Sequence, residues 1–265
     1  MMKNLFTICL FLALTTFSVA QEIRIEGSTT VGPIVDAFVE ALQSDTEARF
    51  TVKKTGSGDG AAALIDGRCE IAAMSRFMKK EEYEKAIAAG RMPIPFTICM
   101  DGVCFIVHPS NTVRNLSKQQ VTDIYTGKIK SWKDIGGPDV PVVAISRDTS
   151  SGTYEVFHEL AVGKAKLGNS VEYTNSNPQM FIRIRTTPGA IGYVGIGFLQ
   201  EGVATVRFEN KQPNKESIAD GSYPLSRPLY LFTDGYPKLG SPLMKFCNFY
   251  LTEEGQDVIN AKGFV

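Results

Sequence analysis

Ser146-Arg147-Asp148-Thr149-Ser150-Ser151-Gly152-Thr153 is the stretch from which the chain is read. Before it runs Val140-Pro141-Val142-Val143-Ala144-Ile145, an apolar segment of strand character. After it comes Tyr154 to Ala161, whose apolar positions 156, 157, 160 and 161 predict one face of a helix. The octet therefore sits at a strand-to-helix junction. It carries a guanidinium, a carboxylate, a glycine and several hydroxyls. A helix N-terminus presents unpaired N–H groups and partial positive charge, which favour an anion. Arg147 adds a planar fork that matches an oxyanion bidentately. Such a loop is suited to an oxyanion, phosphate first among them.

Toward the N-terminus the same joint recurs. Ile23-Arg24-Ile25 reads as a strand, Gly27 to Gly32 as a polar loop, and Pro33 as the first turn of a helix with Ile34, Val35, Phe38 and Leu42 on its apolar face. Phe50 to Lys54 reads as a second strand, running into Thr55-Gly56-Ser57-Gly58-Asp59-Gly60 and a short helix at Ala61–Ile65. A third strand, Glu70 to Met74, ends in Ser75-Arg76, and Lys79 to Gly90 is charged and helical. Strand, polar loop and helix in succession predict an α/β fold with a largely parallel sheet. Ligands of such sheets bind beyond the carboxyl ends of the strands, where these polar loops would gather.

Between these units, Met100-Asp101-Gly102-Val103 carries the Asp-Gly pair of a two-residue hairpin turn. That hairpin would place Cys99 opposite Cys104 at a disulfide-compatible separation. A bridge and a pair of small buried hydrophobes both remain open. Ser117-x-x-Gln120 is a capping-box pattern that starts a helix through Val121, Ile124 and Tyr125. Thr186 to Gly195 is read as a turn feeding an apolar strand, Asn210 to Tyr223 as a surface loop, and Pro228 to Phe232 as a strand. Helices follow at Pro242–Leu251 and beyond Thr252.

Residues 1–20 read as an export signal: Lys3, an apolar run from Leu5 to Leu14, and Ser18-Val19-Ala20 before Gln21. The remaining chain is expected to be exported, periplasmic and soluble. Formal net charge is zero, with no long basic or acidic block, so nucleic acid is not expected as a partner. Catalysis finds little support. There are only two histidines, His108 and His158, and the latter is expected to face solvent away from the loop. No Gly-x-Ser-x-Gly elbow, zinc spacing or P-loop is present. No enzyme activity, cofactor or metal is expected. Taken singly, each polar loop reads first as an ordinary helix cap, and Arg147 as a surface ion-pair member. Their joint occurrence at strand ends favours a binding site.

The motifs as a set resemble the periplasmic phosphate-binding proteins, the substrate-binding components of high-affinity phosphate ABC transporters. The matching stretches are Gly27-Ser28-Thr29, Gly56 to Gly60, Met74-Ser75-Arg76 and Arg147 to Thr153. Supporting matches are Ile124 to Ile129 with Trp132, Pro188 to Tyr193, Tyr223 to Tyr230 and Glu254-Gly255-Gln256. The resemblance covers nearly the whole chain after residue 20. It implies an α/β, two-lobed periplasmic-binding-protein fold (type II-like), with the ligand cleft between lobes joined by two crossing strands. The lobes would be 21–104 with 225–265, and 105–224. Ligand contacts would come from Ser28, Thr29, Ser57, Gly58, Ser75, Arg147, Ser151, Gly152 and Thr153. The implied partners are inorganic phosphate and the membrane permease of a phosphate ABC transporter, with the receptor itself a monomer.

One position departs from the pattern. Many members carry an aspartate after the serine that ends the third strand, where it accepts the proton of hydrogen phosphate. Here that residue is Arg76. Asp148 or Asp59 could take over as acceptor, with Asp148 preferred because it adjoins Arg147. Otherwise the site would be less selective among tetrahedral oxyanions. Three other readings stay open: a receptor for another oxyanion or a small carboxylate, a secreted phosphoester hydrolase using Ser151 or Thr153, and a secreted scaffold with an empty cleft.

Overall fold

The computed structural model describes residues 21–265, and the export signal expected over residues 1–20 lies outside the described residues. The elements run β1 (Glu22–Gly27), α1 (Gly32–Leu42), β2 (Arg49–Lys54), α2 (Ser57–Ile65), β3 (Ile71–Met74), α3 (Lys80–Ala88), β4 (Pro93–Val107), β5 (Asn115–Leu116) and α4 (Lys118–Tyr125). They continue as β6 (Val143–Arg147), α5 (Gly152–Val156), β7 (Glu172–Thr174), α6 (Asn177–Thr186), β8 (Ala190–Gly195), β9 (Ala204–Phe208), α7 (Lys215–Ala219), β10 (Ser226–Asp234), α8 (Pro242–Asn248) and α9 (Glu253–Ala261).

The first three strand–loop–helix units fold as the pattern predicts. β1 pairs in parallel with β2 and β3. Helix α1 carries Pro33 in its first turn and buries Ile34, Val35, Phe38 and Leu42. Phe38 meets Phe246 and Phe249 edge-on, with ring centroids 5.9 and 4.9 Å away, so the C-terminal helices return to cover the N-terminal units. The capping box of α4 is present in both directions: Gln120 N–H donates to Ser117 Oγ at 3.2 Å, and Ser117 N–H to Gln120 Oε1 at 2.9 Å.

Strand order is β2-β1-β3-β10-β4-β8-β6-β7, with β9 also on β4 and β5 on β9. Two long strands carry the chain between the two halves of this mixed α/β, two-lobe fold. β10 runs antiparallel between β3 and β4. β4 serves both halves: residues 93–102 pair with β10, while 103–107 pair with β8. Strand β6 is parallel to β8 and β7, so the Arg147 loop leaves the carboxyl end of a second parallel group.

The Asp101-Gly102 hairpin does not form. Both residues lie inside β4, and neither has the positive φ that a type I′ turn requires. Here the pair is used for packing. The buried Asp101 carboxylate accepts from Ile196 N–H at 2.8 Å and from Arg227. A Cβ on Gly102 would come within 2.6 Å of Ile218 Cδ1, so the glycine leaves room for Ile218 of α7 to pack against the strand. Cys99 and Cys104 are therefore about 16 Å apart on extended chain and on opposite faces. Both are free thiols in the interior.

Three other segments differ from expectation. The stretch read as a loop over Asn210–Tyr223 contains α7, which buries Ile218, and Tyr223 is buried with its hydroxyl donating to Val103 O at 2.7 Å. The helix after the Arg147 loop ends at Val156 and passes into a π turn, Phe157–Ala161, which buries 157 and 161 but leaves Leu160 exposed. In that turn His158 is half-buried, stacked on Tyr154 with its Nε2 3.2 Å from Ala165 O, and does not simply face solvent. Among the described residues no helix is long and apolar enough to cross a membrane, and no cluster of His, Cys, Asp or Glu is placed to hold a metal ion.

Burial pushes the Cys69 and Cys247 thiols up to about 12, and those of Cys99 and Cys104 well above the ordinary value. With thiolate fraction and access both suppressed, none of the four should react with a thiol reagent at pH 8 in the native state, and all four should in denaturant. A mass difference between reduced and unreduced protein would contradict the free-thiol assignment.

Candidate oxyanion-binding site

The carboxyl ends of β1, β3 and β6 and the start of α2 converge on one buried polar cluster. From β1, Ser28 turns its hydroxyl back on its own loop, accepting from Thr30 N–H at 3.0 Å and Val31 N–H at 3.3 Å. From α2 and β3, Ser57 and Ser75 join: Ser75 N–H donates to Ser57 Oγ at 3.0 Å, and the two hydroxyls are 3.2 Å apart. The Arg147 loop closes over them. Gly58 N–H donates to Ser150 O at 2.9 Å, so this donor is already taken up across the cleft. A Cβ on Gly152 would lie 2.5 Å from Ser57 Oγ and 2.7 Å from Ser75 Oγ, so the loop reaches these hydroxyls only as glycine. Ser151 caps α5, its Oγ accepting from Tyr154 N–H at 3.2 Å.

Arg147 is 1 % exposed, which rules out a surface ion pair. Its backbone N–H donates to Tyr193 Oη at 3.0 Å. Its Nε donates to Thr174 O at 3.3 Å, and its Nη2 to Asn175 O at 2.9 Å and Thr29 Oγ1 at 3.3 Å. Its buried Nη1 has no partner. Burial lowers the guanidinium from its ordinary value, opposed by the neighbouring Tyr193 and Asp148. Arg147 makes no ion pair among the described residues, and Asp148 does not bond to it. A buried cation held only by carbonyls and a hydroxyl leaves a charge to be balanced.

Three residues outside the predicted set complete the cluster. Thr30 Oγ1 lies 3.0 Å from Thr153 Oγ1. Asn177, at the start of α6, donates its amide to Thr29 Oγ1 at 3.2 Å and Thr30 Oγ1 at 2.9 Å. Arg227, on β10, donates to Thr153 Oγ1 at 2.9 Å while gripping Asp101 Oδ2 at 2.9 and 2.6 Å. The Ser176-Asn177-Pro178 run, a cap followed by a first-turn proline, marks where α6 begins. Arg227 lies in the matching stretch Tyr223 to Tyr230, but no local pattern marks it as a site residue, because it meets a residue 74 positions away.

Arg76, beside Ser75, has its guanidinium engaged by acids rather than by the hydroxyls of the cluster. Its Nη1 and Nη2 clasp the Glu82 carboxylate at 2.7 Å each, and its Nε reaches Glu155 on α5, which also pairs with Lys79. It is thus a strap between α3 and α5. Of the two candidate acids, Asp148 Oδ1 accepts from Ser150 N–H at 2.9 Å and Oγ at 2.6 Å, while its buried Oδ2 has no partner. Asp59 is half-buried in the first turn of α2. Neither histidine serves Ser151 or Thr153: His108 Nδ1 contacts Ser110 Oγ at 2.7 Å, and His158 is engaged in the π turn.

Two variants test the closure geometry. Gly152→Ala should weaken anion binding by about 100-fold or more in calorimetry, because its methyl must displace two buried hydroxyls. The unfolding temperature of the unliganded protein should fall by a few degrees at most, a smaller change than the loss of affinity. Glu155→Gln should weaken binding by about 3- to 10-fold by loosening the Arg76 strap, and that deficit should largely persist in 1 M salt, because the Arg76–Glu155 pair is mostly buried.

A model of the PBP superfamily domain matches residues 15–254. The chain is 33% identical over 253 residues to the phosphate-binding protein PstS of Staphylococcus epidermidis, covering 91% of this chain and 77% of that one. It is 29% identical over 255 residues to the phosphate-binding protein PstS of Borreliella burgdorferi, covering 92% and 89%. Among solved structures, a substrate-binding protein from Clostridium perfringens with bound phosphate superposes with a TM-score of 0.84 at 31% identity, over 92% of this chain and 99% of that one. An ABC-type phosphate transport receptor from Vibrio cholerae gives 0.75 at 30% identity, over 92% and 99%. The chain belongs to the PBP superfamily and, within it, to the family of the phosphate-binding protein PstS.

Proposed function

We propose that this protein binds inorganic phosphate in its interlobe cleft and delivers it to the membrane permease of a phosphate ABC transporter. The observation that carries this reading is Arg147: a fully buried guanidinium with no ion pair and one unpartnered nitrogen, set among hydroxyls. An oxyanion supplies the missing charge and acceptors together. In this reading Arg147 gives the charge, Thr29, Ser57, Ser75 and Thr153 give hydroxyl donors, and Ser151 and Gly152 give donors at the start of α5. Ser28 and Gly58 shape the cleft, Gly58 by its bond to Ser150 O. Asp148, through its free Oδ2, takes the proton of hydrogen phosphate.

The receptor works as an exported, periplasmic monomer with lobes at 21–104 with 225–265 and at 105–224. The change of partner along β4 at Gly102/Val103 supports that division. Several contacts cross between these lobes, among them Thr30 to Thr153 and Gly58 to Ser150. A ligand that touches both sides favours the closed arrangement by population shift.

Titration calorimetry on ligand-stripped protein tests the reading. Phosphate should bind at neutral pH and raise the unfolding temperature, and absence of heat would refute it. Arg147→Ala should lose at least about 100-fold in affinity, and Arg147→Lys should recover little, because an ammonium lacks the planar fork. Sulfate should bind far more weakly than phosphate, and Asp148→Asn should narrow the gap. Equal binding of the two anions by the wild type would favour a general tetrahedral-oxyanion receptor.

A further inference from the structure

The hydroxyls that line the cleft can each donate or accept, yet their neighbours leave little freedom. Gly195 N–H lies 3.2 Å from Asn177 Oδ1 and can only donate, which fixes the oxygen end of the buried amide. The NH2 end must then face Thr29 and Thr30. Thr29 Oγ1 thus receives two donors that cannot accept, Asn177 Nδ2 and Arg147 Nη2, so its own proton points elsewhere. Thr153 Oγ1 receives Arg227 Nη2, another pure donor. That arginine is fixed by Asp101, whose other oxygen is taken by Ile196 N–H. Thr30 and Thr153 share one proton between them. Three hydroxyls therefore carry three protons, one is used internally, and two have no acceptor in this network.

We infer that Asn177 and Arg227 are positioning residues that set the polarity of this wall, holding Thr29 and one of the Thr30–Thr153 pair as donors. The inference rests on the phosphate reading and sharpens it. The ligand oxygens that meet this wall must act as acceptors, so the proton of a hydrogen phosphate must point away from it, toward another face of the site. A carboxylate at position 177 would reverse the wall by drawing the threonine protons to itself.

The test uses calorimetry with phosphate on the mature wild type, Asn177→Ala, Asn177→Asp, Thr29→Val and the double variant Asn177→Asp with Thr29→Val, each checked by thermal unfolding. Asn177→Ala should weaken binding by about 3- to 10-fold, whereas the isosteric Asn177→Asp should weaken it by about 100-fold or more. A purely structural amide predicts the opposite order. Simple repulsion by the new charge predicts that Asn177→Asp costs the same factor with or without Thr29. Polarity reversal instead predicts that Thr29→Val removes most of the effect. Equal losses in Asn177→Ala and Asn177→Asp, or additivity with Thr29→Val, would overturn the inference. No heat from the wild type would refute the phosphate reading itself and the inference with it. Should Asn177→Asp fail to fold, Asp101→Leu with Arg227→Met decides. This pair exchanges the buried ion pair for apolar groups and should cost about tenfold in affinity, and unchanged affinity would overturn the inference.

Discussion

A guanidinium buried without a counter-charge is the constraint to which the rest of this molecule answers. Removing a cation from water costs several kcal/mol unless hydrogen bonds and an opposite charge replace the lost solvation. Arg147 has the hydrogen bonds, donated to Thr174 O, Asn175 O and Thr29 Oγ1. The opposite charge is what the site lacks. Apart from Asp148, the groups around it tolerate or seek an anion: serine and threonine hydroxyls, a helix start and a neutral phenol. Burial pushes the Tyr193 phenol up, so it stays protonated while it accepts from Arg147 N–H and shares its own proton with Ser146. The nearest aspartate is turned toward Ser150.

A buried ion pair of opposite character reaches from one lobe to the other through Ile196 N–H and Thr153 Oγ1. Asp101 and Arg227 lie on the two crossing strands and neutralise each other. From Arg227 the network runs to Thr153, Thr30, Asn177 and Thr29, and ends at Arg147. Arg227 has a counter-charge in Asp101 and Arg147 has none, while each keeps one buried nitrogen without a partner. That asymmetry separates a structural arginine from one available to a ligand. Arg76 follows the structural pattern, with Glu82 and Glu155 around it.

Much of this was legible in the sequence, because strand, polar loop and helix follow each other closely in the chain. Ser28, Ser57, Ser75 and the Arg147 loop lie near strand ends that converge, a position that follows from the local order of strand, loop and helix even where their partners are distant. Asp101-Gly102 misled for a physical reason. The pair that suits a turn also suits a crossing strand that must bury a carboxylate and admit a helix. Asn177 and Arg227 were not legible as site residues. Each earns its place from contacts over a hundred positions or more, as with Asn177 and Thr29 or Arg227 and Asp101. The direction in which Arg76 points was likewise set by Glu82 and Glu155, which no local pattern announces.

The continuity of β4 has a mechanical meaning. A loop hinge is slack, and its geometry is redrawn at each opening. A strand whose hydrogen-bond ladder passes from one neighbour to another at Gly102/Val103 behaves instead as a leaf spring. Roughly ten degrees of torsion per residue lies inside the normal scatter of extended chain. A rotation of the lobes can be spread along the strand without breaking a ladder bond. The two lobes are then joined by continuous, hydrogen-bonded strand rather than by a slack loop. Substitutions there would retune the release of cargo without touching a single atom that holds it.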